Sequence, residues 1–212
     1  YYPVGDSTWT ASVRQNYGGS ITWATYVPLP EITEVTMSTE GVWLKWKEVY
    51  GAEKYEISRT EEAGAGSVFT TVTASSHTDE TALSGETYTY KIRAYAGGAW
   101  SDYGEEKEVL FNPFTDIDPV NAKKTFEYVS WAFNNNIVTG TSNTTFSPKA
   151  NCTRIQFIMM LWKMNGEQTV SGVKNPFSDI ENGTKKCKAV LWALKEGIIN
   201  SGTKFNPNSS IT

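Results

Sequence analysis

The feature that most constrains this chain is that its second half repeats itself. NPFTDI at 112–117 recurs as NPFSDI at 175–180. VSWAFNNNIV at 129–138 recurs as VLWALKEGII at 190–199, and TTFSPKANCT at 144–153 as TKFNPNSSIT at 203–212. The separation between matched blocks falls from 63 to 61 to 59 residues, so the second copy is slightly tighter than the first. Ordered self-similarity of this kind marks a unit that buries its apolar face against a neighbouring copy. The first copy runs over 112–174 and the second over 175–212, where the sequence given stops before a second helix of that copy.

Each copy reads as helix, loop, helix. Ala122, Phe126, Val129 and Phe133 fall at i, i+4, i+7 and i+11, one apolar stripe of a helix. TGTSNTTFSP has turn chemistry. Asn151 or Thr153 can then cap a second helix whose apolar run is Ile155, Phe157 to Trp162 and Met164, with Gly166 as its stop.

The first half follows a different period. GVWLKWK puts Val42, Leu44 and Trp46 on one face, and EKYEISR does the same with Tyr55 and Ile57. SVFTTVT is a third run, and TYTYKIRAYA aligns Tyr88, Tyr90, Ile92 and Ala94. Period-two alternation of aromatic and β-branched residues predicts strands, and their spacing predicts a β-sandwich over 29–111. Leu83, Gly85 and Tyr88 have the spacing of a tyrosine corner. Residues 1–28 read as a separate piece: either the closing segment of an upstream surface domain or a linker with one hairpin turning at Gly18 and Gly19. Gly64, Ala65 and Gly66 read as a flexible turn.

The chemistry-bearing residues are few. Arg154 opens a hydrophobic helix, where a cation gains nothing from the helix dipole. Its fork suits a carboxylate ligand, helped by exposed helix N–H groups, or a structural salt bridge to Asp116 or Asp179. Asp116 and Asp179 each follow a phenylalanine and precede a helix, which fits capping or turn formation more readily than ligand contact. Trp131 and Trp192 share one helical position among apolar neighbours. That favours a core role over stacking on a sugar ring. Cys187 aligns with Phe126 and Cys152 with Ile211, so each cysteine replaces a large apolar residue and buried free thiols are expected, with a disulfide as the alternative. His77, the only histidine, has no ligand-type neighbours and reads as a turn residue.

The ordered set Pro30, Trp46, Tyr55, Leu83, Gly85, Tyr88, Tyr90, Ile92 and Ala94 resembles a fibronectin type III domain, which in bacterial extracellular proteins is usually a spacer. The repeats resemble the S-layer homology domain of bacterial surface proteins. The residues carrying this are Phe114, Asp116 and Ile117; Trp131 and Ala132; Ile137, Val138, Gly140 and Thr141; Phe146 and Pro148; and Thr153, Arg154 and Gln156. Gln156 stands where that family often has Glu. The resemblance implies non-covalent attachment to an anionic secondary cell-wall polysaccharide, often bearing pyruvate, bound in grooves between repeats. It places Arg154 against the acidic sugar, Gly140 and Thr141 in a groove wall, and Thr153 as cap or donor. Gln156, Asp116 and Trp131 complete the candidate ligand set. Residues 1–28 resemble the segment that closes leucine-rich repeats in such proteins.

Charge separates the halves. Residues 1–111 hold 8 Lys+Arg against 16 Asp+Glu, whereas 112–212 hold 11 against 7. The basic excess suits an anionic polymer but forms no Arg/Lys stripe of the kind that reads nucleic acid. No nucleophile elbow, HExxH or P-loop is present, and neither a cofactor nor a metal is expected. The expected architecture is therefore multidomain β plus α: a fibronectin type III-like β-sandwich followed by helical repeats. The expected role is a non-catalytic, extracellular segment of a longer bacterial surface protein, without membrane insertion. The alternative is the accessory region of a secreted wall- or glycan-degrading enzyme. A third reading makes the aromatics of 1–28 a protein-binding surface.

Overall fold

The computed structural model describes residues 1–15, 21–22, 24–61 and 67–211. The turns expected at Gly18 and Gly19 and at 64–66 lie outside the described residues. The chain divides into two compact units, Tyr1–Phe114 and Thr115–Thr212.

The first unit opens with β1 (Tyr2–Pro3), the short helix α1 (Ala11–Gln15) and β2 (Thr25–Tyr26). The two strands pair in parallel. An antiparallel sheet then combines β3 (Ile32–Ser38), β4 (Gly41–Trp46) and β7 (Ser76–Asp79) in the order β3-β4-β7. A second sheet runs β10-β8-β5-β6, from β5 (Ala52–Glu61), β6 (Ser67–Val72), β8 (Thr87–Ala96) and β10 (Lys107–Leu110), with β9 (Ala99–Trp100) added to β8. The alternating residues read from the sequence form one shared core. Val42, Leu44 and Trp46 of β4 meet Tyr55, Ile57, Tyr88, Tyr90, Ile92 and Ala94 of the other sheet, all buried. Each large aliphatic side chain so buried contributes roughly 1.5–3 kcal/mol. Tyr88 Oη accepts the Leu83 N–H at 2.8 Å, so the tyrosine corner forms.

Three points differ from expectation. The segment before residue 29 joins the sandwich: Val27 is buried in the shared core and Val4 packs against it. His77 lies in β7 opposite Leu44, edge-on to Phe69, and not in a turn. The central strand β5 is covered on both faces. Glu56 is buried on the outer one, where it accepts from Arg93 Nε at 2.7 Å and from the Tyr103 hydroxyl.

The second unit holds α2 (Lys123–Asn134), α3 (Arg154–Met164) and α4 (Lys185–Lys195). The first helix of each copy is thus α2 or α4, and the second helix of the first copy is α3. Thr153 caps α3 and Thr184 caps α4. Ahead of α2, whose N-cap Ala122 makes no side-chain bond, Asp118 accepts the N–H groups of Val120 and Asn121. Gly166 takes a left-handed φ of 74° just beyond α3, the conformation that ends helices with glycine.

The α3 and α4 helices pack face to face. Ile155, Ile158 and Trp162 share a core with Phe177, Ile180, Cys187, Ala189, Val190, Trp192, Ala193 and Phe205. The core role expected for the two equivalent tryptophans therefore holds for Trp192 and fails for Trp131, which α2 turns outward. The physical reason is that α4 has α3 to pack on, while α2 has no comparable helix partner among the described residues. Both cysteines are free thiols: Cys187 is buried and Cys152 half-buried.

Candidate functional site

The site is assembled where the start of α3 meets the last residues of the second copy. Thr153 is the N-cap. Its Oγ1 accepts the Gln156 N–H at 3.4 Å, and Gln156 Oε1 accepts the Thr153 N–H at 2.9 Å, a reciprocal capping box. Gln156 therefore performs with a neutral amide what a carboxylate does elsewhere in such boxes.

The segment 207–211 runs antiparallel to this start. Thr153 bridges Ser210, and the Ile211 N–H donates to the Cys152 carbonyl at 2.9 Å. The Arg154 N–H donates to the Ser209 carbonyl at 2.8 Å and the Ile155 N–H to the Pro207 carbonyl at 3.1 Å. A helix start ordinarily leaves its first N–H groups without partners. Here those of Arg154, Ile155 and Gln156 are all engaged, which corrects the expectation of exposed N–H groups ready for an anion.

The arginine side chain is what remains available. Arg154 Nε donates to the Phe205 carbonyl at 3.1 Å, and the guanidinium lies 5.0 Å from the centroid of the Phe205 ring. This is a cation held over an aromatic face. Among the described residues its terminal nitrogens have no hydrogen-bond partner. Among the described residues no carboxylate is within salt-bridge distance, so the ion pair with Asp116 or Asp179 considered above does not form.

Both aspartates do another job. Asp179 accepts the N–H groups of Phe205 at 2.7 Å and Asn206 at 2.8 Å. Asp116 accepts those of Phe146 at 2.8 Å and Ser147 at 2.7 Å. Neither caps a helix. Each carboxylate pins the F-x-P turn of its own copy, at a residue with left-handed backbone: Asn206 at φ 57° and Ser147 at φ 65°. The Phe205 and Asn206 N–H groups hold the Asp179 carboxyl below the usual carboxylate range. At Asp116, burial opposes the shift, but the Phe146 and Ser147 N–H groups outweigh it.

The structure therefore brings together Thr153, Arg154 and Gln156 with residues 205–209. It places Asp116 and Thr141 elsewhere, in the loop of the first copy, where Thr141 Oγ1 lies 2.8 Å from Ser147 Oγ. Gly140 precedes that exposed loop, and Trp131 stands exposed on α2. Phe205 was not singled out from the sequence, although F-x-P recurs at 146–148 and 205–207 and signals a shared structural task. An open depression of about 530 Å³ is lined by Asp179, Asn206, Pro207, Asn208 and Ser209. Among the described residues, no group of three or more His, Cys, Asp or Glu could hold a metal ion, and no helix is long and apolar enough to cross a membrane.

Residues 113–158 and 176–212 match the family model of the S-layer homology domain. An endoglucanase of Bacillus sp. (strain KSM-635) is 36% identical over 119 residues, covering 54% of this chain and 12% of the relative. Exoglucanase XynX of Acetivibrio thermocellus is 34% identical over 110 residues, covering 50% of this chain and 9% of the relative. The chain thus spans a small fraction of the curated relatives it matches. Among solved structures, an Fn3-like protein from Clostridium thermocellum is 20% identical, covering 41% of this chain and 94% of that one, with a TM-score of 0.34. An fn3 domain of human collagen alpha-1(XX) chain is 16% identical over 44% of this chain and 92% of that one, with a TM-score of 0.35. The stretches similar to the S-layer homology domain lie within the second unit, and a two-sheet β-sandwich precedes them in the chain.

Proposed function

We propose that the repeats attach a bacterial surface protein non-covalently to an anionic cell-wall polysaccharide, with Arg154 as the anion contact and the sandwich as spacer. The observation that carries this reading is the state of Arg154. One nitrogen and one face of the guanidinium are fixed by Phe205, while the terminal nitrogens are left for a ligand. A carboxylate, including that of a pyruvyl ketal, matches the geometry of that fork. Exposed Trp131 offers a ring on which a sugar can stack. Gly140 and Thr141, with Asp116 behind them, form a second polar loop along which a polymer could run.

The relatives named endoglucanase and exoglucanase support a compatible second reading. In it, this segment is the accessory, attaching part of a secreted glycan-degrading protein whose chemistry lies outside these residues. The whole protein is then extracellular and held at the wall.

The test is sedimentation of the chain with purified Gram-positive walls, before and after removal of their attached polysaccharide. The chain should pellet only with polysaccharide-bearing walls. Arg154→Ala should weaken that binding by roughly 10- to 100-fold, the value of a charge-assisted hydrogen bond or two. Equal pelleting with stripped walls would remove the polysaccharide from the account.

A further inference from the structure

We propose that Asp179 is the positioning residue of the Arg154 site, acting through the Phe205–Asn206 turn. This rests on the reading of Arg154 given above and extends it to the residue that sets its direction. The chain of contacts is short. Asp179 Oδ1 takes the Phe205 N–H and Oδ2 takes the Asn206 N–H, so both carboxylate oxygens are engaged by one turn. Asn206 sits at φ 57°, a left-handed conformation that asparagine tolerates, and the two N–H bonds to Asp179 hold the turn there. The pinned turn fixes Phe205 in two ways. Its ring is buried edge-on against Phe177 at 5.8 Å, and its carbonyl points to Arg154 Nε. The carbonyl and the ring face together define the plane of the guanidinium, and hence the direction of its terminal nitrogens.

The arrangement crosses the copies. Arg154 comes from the first copy, whereas Asp179 and Phe205 come from the second, so the site exists only where two copies meet. It also explains how a carboxylate can share a partner residue with an anion site. Asp179 faces N–H donors of its own loop, which stabilise its negative charge there, with Lys204 as its charged neighbour.

The experiment uses the full chain, 15N-labelled, with the Arg154 Nε–H resonance identified by its loss in Arg154→Lys. In the wild type that resonance should be shifted by the Phe205 ring and slow to exchange with solvent. Asp179→Asn should move it to the position of a solvent-exposed arginine and weaken sedimentation with polysaccharide-bearing walls by about tenfold. Asp118→Ala removes an acceptor in the turn that precedes α2, in the same unit, and should change neither readout. A merely structural role for Asp179 would move stability in both variants and the Arg154 resonance in neither.

Should Asp179→Asn fail to fold, acid titration of the wild type makes the same change without substitution. The Arg154 Nε–H should then follow the carboxyl carbon of Asp179 and not that of Asp116, which is bonded to Phe146 and Ser147. The proposal is overturned if the Arg154 resonance is indifferent to Asp179 in both the variant and the titration. Loss of wall binding in Arg154→Ala with none in Asp179→Asn would also overturn it, while leaving the anchoring function intact. If Arg154→Ala binds walls normally, the anchoring role of Arg154 fails, and the resonance alone still decides whether Asp179 orients it.

Discussion

Trp131 and Trp192 hold the same place in the two copies, yet Trp131 is 56% exposed and Trp192 only 4%. The side chain is the same, and so is its helical position. What differs is the partner, since α3 covers the tryptophan face of α4 and no helix among those described covers that of α2.

The energetic consequence is a large asymmetry between identical substitutions. Trp192→Ala should destabilise the second unit by about 3–5 kcal/mol, the usual loss for a large aromatic core residue. Trp131→Ala should change stability by less than about 0.5 kcal/mol. Urea unfolding followed by helical circular dichroism measures both, and equal losses would contradict the packing described.

This pair also shows how far the sequence could be read. The repeat, the strand alternation and the tyrosine corner were legible because each is a local period or spacing. Val42, Tyr90 and Phe126 are buried as their patterns require. The fate of Trp131 was not legible, because burial depends on a neighbour that periodicity does not name. Likewise, Asp179 read as a cap or turn former from its local context, whereas its true partners lie 26 and 27 residues away. His77 looked like a turn residue among polar neighbours, and only the pairing of β7 with β4 makes it part of a strand.

Thr153 contributes through a local device, and its loss should be correspondingly local. Thr153→Ala removes the side-chain half of the capping box and should cost about 1 kcal/mol. Gln156→Ala removes the other half and should cost less, because the Thr153 hydroxyl still caps the helix. Thermal unfolding of both variants ranks them, and the reverse order would contradict the box.

Tyr88→Phe keeps the ring in the sandwich core and deletes the acceptor of the Leu83 N–H. The expected cost is about 1 kcal/mol, with faster hydrogen exchange at the Leu83 amide. Unchanged exchange there would mean the hydrogen bond does not hold the corner.

Asp79 makes the sandwich sensitive to acid. It is fully buried and accepts from Arg59 at 2.8 Å, Tyr90 at 2.7 Å, the Thr81 N–H at 2.9 Å and the Thr81 hydroxyl at 2.7 Å. Burial alone would raise its pKa, but these donors outweigh burial and hold it below the ordinary 3.8. A depressed carboxyl stabilises the fold fully above its unfolded value, and that contribution is lost as pH falls through the lower folded one. Unfolding of the first unit should therefore steepen below about pH 4. Asp79→Asn should cost about 3–5 kcal/mol at neutral pH by leaving Arg59 with only the exposed Glu61 as an anionic partner, and should flatten the acid limb. A pH series of urea midpoints tests both.

Asp79 also joins two layers. It stands on β7 of one sheet, while Arg59 on β5 and Tyr90 on β8 belong to the other. The first long strand of the sandwich, β3, and its last, β10, are likewise in different sheets. Tension entering the sandwich at β3 and leaving at β10 must therefore pass from one layer to the other. Among the described residues no ladder of backbone hydrogen bonds spans that gap. The load falls instead on interlocked side chains and on one carboxylate gripped by a guanidinium and a phenol. Under a pull along the chain, the part of this domain that resists shear is the bond between its sheets.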